Sequence, residues 1–232
     1  MSEAVALTNP VIVFALYPGV TQLDFTGPHQ VFSRLPGAQV IAASEAGGCI
    51  ETDGLTFAAL PRLRDIKHCD VICVPGGMGT TDAMQDAAFM AQVRRLASDA
   101  RYVTSVCTGS LVLAAAGLLK GKHAACHWAW RELLAPFGAI VDEGRVVRDG
   151  NVFTGGGVTA GIDFALALAA EIAGPETAQA IQLTLEYAPA PPFNAGRPDT
   201  APPEILARVR AGMEKLLPVR RQAVRRVVAA GS

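Results

Sequence analysis

The sequence predicts a doubly wound α/β fold, with a mostly parallel sheet and helices on both faces. Three observations predict it. Val11–Leu16 (VIVFAL), Asp70–Val74 (DVICV) and Tyr102–Val106 (YVTSV) are short apolar or β-branched runs that suit strands buried on both faces. Stretches of helix formers separate the runs. Each run ends on a turn signal: Tyr17-Pro18-Gly19, Pro75-Gly76-Gly77 and Cys107-Thr108-Gly109. The chain of 232 residues is long enough for one large core, and with half its residues hydrophobic it is too apolar to be disordered.

The elements follow in order. Thr26-Gly27-Pro28 reads as a helix start, with Thr26 as cap and Pro28 in the first turn, and the helix runs to about Leu35. Gln39–Ala43 is a strand and Cys49–Phe57 a small hairpin. A helix over about 87–100 leads into the strand at Tyr102, and further helices are predicted at 108–118 and 127–135. Val146–Thr154 reads as a hairpin turning at Asp149-Gly150. Gly155-Gly156-Gly157 opens a helix over about 159–173, and another spans 175–187. The triglycine matches neither the dinucleotide fingerprint nor the Walker pattern, so it reads as a tight backbone passage. Prolines keep Ala188–Pro198 from being helical. Helix resumes near Pro203 and is interrupted at Pro218. No linker or repeat divides the chain, so residues 1–232 read as one domain with a basic helical extension over about 203–232.

The formal net charge of −1 gives no global pull toward nucleic acid or anionic membrane. From Glu204 onward seven basic residues face two acids, a local net of +5, which leaves the remainder near −6. That segment reads as a solvated helix face or a contact between copies, and its arginines are not interleaved with aromatics as in a single-strand binder. The five cysteines are odd in number and form no regular framework, which argues for free thiols in a reducing compartment. Cys69 and Cys73 lack a second pair at zinc-finger spacing, so no metal is expected. Met1–Pro10 lacks the pattern of a signal peptide, and no apolar run approaches the ~20 residues of a membrane span. The expected location is the cytoplasm.

Cys107 is the leading candidate for chemistry. A cysteine packs readily as an inert small hydrophobe. Here, however, it sits between a strand and a helix, where a nucleophile stands clear of the sheet and faces the positive helix end. Both effects favour a reactive thiolate, which a free cysteine of pKa ~8.5 would supply only at a few per cent near neutral pH. Asp24, in QLDFTGP, is read either as a helix cap or as a proton carrier beside the thiol. Gly76 and Gly77 can bring backbone N–H groups close to substrate. Thr108 can add its own N–H, and its hydroxyl can hold water or substrate. Asp24, Gly77 and Cys107 each lie just beyond a predicted strand, on the edge where such sheets bind ligands. Four histidines are present, and none follows Cys107. His127 is the one expected nearest the site, although a packing role suits it equally.

These residues resemble the PfpI-type, glutamine-amidotransferase-like superfamily over nearly the whole chain, and within it the isocyanide hydratases. The matching stretches are QLDFTGPHQVF (22–32), DVICVPGGMG (70–79), RYVTSVCTGSLVLAAAGLLKGK (101–122), HWAWRELLAPFGA (127–139), RVVRDGNVFTGGGVTAGIDFALALAAE (145–171) and LEYAPAPPFNAG (185–196). The resemblance implies a flavodoxin-like fold with a nucleophile elbow, a homodimer and no cofactor. It makes Cys107 the nucleophile and Asp24 its acid/base partner, with Gly77 and Thr108 forming the polar pocket. Ala125-Cys126 ahead of His127 departs from the threonine of relatives. The implied reaction is hydration of R–N≡C to the formamide R–NH–CHO, which needs one nucleophile, one proton carrier and no histidine. The R group is expected to meet apolar walls near Phe25, Val158 and Phe193.

Two other classes share these patterns. The N-terminal domains of some AraC-type regulators bind small molecules without turnover. They carry an additional helix-turn-helix region, which this chain is expected to lack. Glyoxalase or deglycase chemistry and thiol-based stress protection also occur in the superfamily.

Overall fold

The run VIVFAL becomes β1 (Val11–Leu16), with five of its six residues buried. Its neighbours in sequence and space follow from there. The computed structural model describes residues 7–231; residues 1–6, part of the stretch read for a targeting signal, and Ser232 lie outside the described residues. After β1 come α1 (Gln22–Phe32), β2 (Gln39–Ser44) and a hairpin of β3 (Gly48–Thr52) and β4 (Leu55–Leu60). The hairpin turns at Asp53-Gly54, both at positive φ, as a tight hairpin turn requires. β5 (Val71–Val74), α2 (Thr80–Ala83), α3 (Ala87–Asp99), β6 (Tyr102–Val106) and α4 (Gly109–Ala115) follow. The second half holds β7 (His123–Ala124), a 3₁₀ segment at Arg131–Phe137, β8 (Ile140–Val141), β9 (Val146–Asp149) and β10 (Val152–Gly155). Four helices complete it: α5 (Ala160–Ala173), α6 (Pro175–Thr184), α7 (Pro203–Glu214) and α8 (Leu217–Gly231).

The six-stranded sheet runs β2-β1-β5-β6-β10-β9, parallel except for the edge strand β9. Counting the parallel strands alone, this is the flavodoxin-like order, whose direction of winding reverses between β1 and β5. Ligands bind in such sheets at the carboxyl edge near that reversal. The core is apolar on both faces of the sheet, with Phe14, Phe32, Phe89 and Phe164 fully enclosed. No helix among the described residues is long and apolar enough to cross a membrane.

Three readings differ from the structure, the simplest being the last break in helix, which falls at Lys215-Leu216 with Pro218 in the first turn of α8, where its missing N–H costs nothing. The first helix begins at Gln22, not at Thr26. Asp53 Oδ2 accepts the Gln22 N–H and so supplies the missing cap from the hairpin. Thr26 instead donates its hydroxyl to Gln22 Oε1. Pro28 therefore sits inside the helix, where it gives up one backbone bond. The predicted helix at 127–135 is a turn followed by the 3₁₀ segment. Pro136 cannot extend an α-helix there, and Gly138 at φ +78° closes the segment.

Candidate active site

Cys107 follows β6 directly and has φ +57°, a left-handed conformation rare for any residue but glycine. Such a residue costs about 1–2 kcal/mol and persists only where its surroundings fix it. The fixing is visible: the Cys107 N–H donates to Gly155 O at 2.9 Å, which ties the elbow to β10. The side chain is only 6% exposed.

Asp24 lies in the first turn of α1 and is fully buried. Oδ2 accepts the Gly76 N–H at 2.8 Å, while Oδ1 has no hydrogen-bond partner. Burial pushes the carboxyl up to about 7, only partly offset by the Gly76 N–H and the adjacent Cys107 thiol. The earlier start of α1 is what turns Asp24 inward, so it caps no helix.

The same burial acts on the thiol. Loss of water, then the Asp24 charge and Cys126, hold Cys107 well above the ordinary thiol range. The N–H and hydroxyl of Thr108 offset part of this. The sequence reading of a lowered thiol is therefore corrected: burial and the Asp24 charge push Cys107 up, not down.

Gly76 and Gly77 use their N–H groups within the protein. Gly76 donates to Asp24, and Gly77 donates to Thr108 Oγ1 at 2.9 Å. A Cβ on Gly76 would stand 2.5 Å from Thr108 N and 2.8 Å from Asp24 Oδ2, so the thiol loop and the carboxyl can meet only across a glycine. The Thr108 hydroxyl also meets Thr80 Oγ1 at 2.7 Å, and Thr80 meets the Tyr17 hydroxyl at 3.0 Å. Tyr17 in turn donates to Pro75 O at 2.7 Å. A buried chain of hydroxyls thus underlies the elbow. Sequence reading had no signal for Tyr17 or Thr80, because their partners come from other elements.

Arg220 on α8 was equally missed. It is 3% exposed, and its Nη2 donates to Gly77 O at 3.1 Å. The other basic residues of α7 and α8 are solvent-facing, as the sequence reading had them. Cys126 is a second buried thiol near Cys107, pushed up to about 12 chiefly by burial. His127 is held neutral, lowered to about 4 by burial and by Arg220. Its Nδ1 accepts the Ala129 N–H and its ring lies beside Trp128. A groove of about 240 Å³ is lined by Cys126, His127, Trp128, Gly156 and Val158 among others, with neither Cys107 nor Asp24 on its wall. Of the expected walls, Val158 lines it, Phe25 packs in the core against Phe57, and Phe193 stands in solvent, 78% exposed. Among the described residues no cluster of His, Cys, Asp and Glu could hold a metal ion.

An isonitrile hydratase of Pseudomonas putida is 51% identical over 219 residues, covering 94% of this chain and 96% of its own. A crystal structure of a THiJ/PfpI family protein from Pseudomonas syringae superposes with a TM-score of 0.91 at 39% identity, over 97% of this chain and 94% of that one. The DJ-1beta structure of Drosophila melanogaster gives a TM-score of 0.70 at 26% identity, over 78% of this chain and all of its own. The DJ-1/PfpI family matches residues 10–171, a span that includes Asp24, Gly76, Gly77, Cys107 and Thr108. The chain belongs to the DJ-1/PfpI family.

Proposed function

We propose that this protein is an isonitrile hydratase that adds water to R–N≡C and releases the N-substituted formamide R–NH–CHO. The observation that carries the reading is the pairing of a buried thiol with a buried carboxyl that titrates near neutrality, on the carboxyl edge of the sheet. The 51% identity to a hydratase over nearly the whole chain supports it.

The isocyanide carbon accepts a nucleophile and must then gain a proton. Cys107 and Asp24 can do both. Asp24, poised near 7, takes the thiol proton as sulfur attacks the carbon. It returns that proton to the same carbon, giving the thioimidate R–N=CH–S–Cys107. Asp24 then removes a proton from water as the oxygen adds to that carbon, and passes it to the nitrogen, which leaves the carboxylate as it began. Collapse of R–NH–CH(OH)–S–Cys107 breaks the C–S bond and returns the proton to sulfur, leaving the formamide. Thr108 supports charge on the sulfur. Gly76 and Gly77 serve this reading as the frame that holds Asp24 and Thr108. The neutral His127 takes no part.

A homodimer and a cytoplasmic location go with this reading. The test is incubation with cyclohexyl isocyanide, following the formamide, with Cys107→Ala in parallel. Formamide from the wild type alone supports the proposal. Folded wild type that binds the isocyanide without turnover replaces it with a ligand-sensing role.

A further inference from the structure

The site as described has a negative group beside the thiol and no cation on the same elements. Burial and the Asp24 charge both oppose a thiolate at Cys107, and the histidine of the region is neutral. A nucleophilic step at sulfur needs something to offset this.

α8 supplies a candidate. The Arg220 guanidinium lies 4.3 Å from the centre of the Trp130 ring, a stacking contact that holds it flat. Nη2 is spent on Gly77 O, and Nη1 is buried without a partner. No carboxylate is among the groups that act on it; those groups are Cys107, Cys126 and Tyr17. An unpaired buried cation is costly, and this one faces three groups that would carry negative charge on losing a proton. It arrives from outside the span common to the family, residues 10–171.

We propose that Arg220 is a positioning residue of the active site: it clamps the Gly77 peptide and provides the fixed positive charge that supports the sulfur of Cys107 as it becomes anionic. The inference rests on Cys107 being the nucleophile. The groups that interact electrostatically with Cys107 are Asp24 from α1, Tyr17 after β1, Thr108 on the elbow, Cys126 before the 3₁₀ segment and Arg220 from α8. His127 and Arg131 act on Cys126, and His127 also on Arg220. Of these, Arg220 and Arg131 carry positive charge, and Arg220 reaches the elbow through Gly77, whose carbonyl it bonds and whose N–H donates to Thr108 beside Cys107.

The test measures the pH dependence of iodoacetamide alkylation at Cys107, read on its own peptide by mass spectrometry. R220Q keeps a hydrogen-bond donor and loses the charge; R220K keeps the charge and loses the planar fork. R220Q is expected to raise the alkylation midpoint by at least about one pH unit, about a tenfold slower reaction at a fixed pH below it. R220K is expected to stay within half a unit of wild type, even with a lower melting temperature. Equal midpoints in wild type and R220Q overturn the proposal and leave Arg220 a packing role. If R220Q does not fold, R220K decides: a midpoint held despite reduced stability supports the charge, and one displaced by a full unit overturns it. Formamide production is followed on the same samples. A shifted midpoint in a protein that makes no formamide keeps the role of Arg220 and removes the hydratase reading.

Discussion

The Gly76 N–H donates to Asp24 Oδ2 at 2.8 Å across 52 positions of chain, while the second oxygen of that buried carboxyl has no partner. A backbone N–H and a neighbouring thiol do not replace the water lost, so the carboxyl holds its proton up to about 7 against 3.8 in the open chain.

Asp24→Asn should therefore stabilise the protein while disabling it. Between pH about 4 and 7 the folded chain retains a proton that the unfolded chain has released, so wild-type stability falls as pH rises through that window. At pH 8 the amide is expected to gain about 2–4 kcal/mol, raising the melting temperature by about 5 °C or more. The gain shrinks toward pH 4. Turnover falls more than about 100-fold, since an amide carries no proton. Thermal melts at pH 8 and 4.5 check the first part, and a variant less stable than wild type at pH 8 contradicts it.

The rate should follow the same group. The reactive pair carries one proton between sulfur and carboxylate, so kcat/KM is expected to drop about tenfold per unit below pH 7 and to level off above it. A rate–pH profile with no break between pH 6 and 8 would remove Asp24 from the proton path.

Cys107→Ala is expected to retain the fold and lose at least about 99% of turnover, because no other group can form the covalent bond to carbon. Cys126 is buried beside it but is not on the elbow. Circular dichroism and a formamide assay on the purified variant measure both claims, and residual turnover of several per cent would move the nucleophile elsewhere.

Gly76→Ala is expected to fail structurally. Its methyl would stand 2.5 Å from Thr108 N, 2.6 Å from Thr108 Oγ1 and 2.8 Å from Asp24 Oδ2. Two of these atoms belong to the carboxyl and the elbow backbone, which cannot both retreat. A loss of about 1–3 kcal/mol or more is expected in urea unfolding, with most activity gone. A variant of wild-type stability would mean that the loop after β5 yields more easily than its packing implies.

The strands were legible because VIVFAL and VICV have no polar side to turn outward, and a short apolar run between turns has few other uses. Cys107 was legible because strand, turn and helix signals lie in one stretch. Asp24 was found, but its place in α1 was not: the cap on Gln22 comes from Asp53, and no local pattern announces a cap supplied from 31 residues away. The direction of the thiol's shift was misread for a related reason. A helix end is a sequence feature, whereas the loss of water around Cys107 is made by the assembled layers. Arg220 sat in a run of arginines that reads as a wet surface, and only Trp130 and Gly77, both distant in sequence, mark it as interior.

The bond from Arg220 to Gly77 spans 143 residues, which places it among the slowest contacts for a chain to find. The parallel sheet and the elbow can be complete, with the Thr80 hydroxyl already bonded to the Gly77 carbonyl, before the guanidinium arrives. During synthesis the thiol leaves the ribosome more than a hundred residues before the arginine. Maturation of the site is thus timed by the docking of the last helix, and recovery of full reactivity on refolding is expected to trail the recovery of secondary structure.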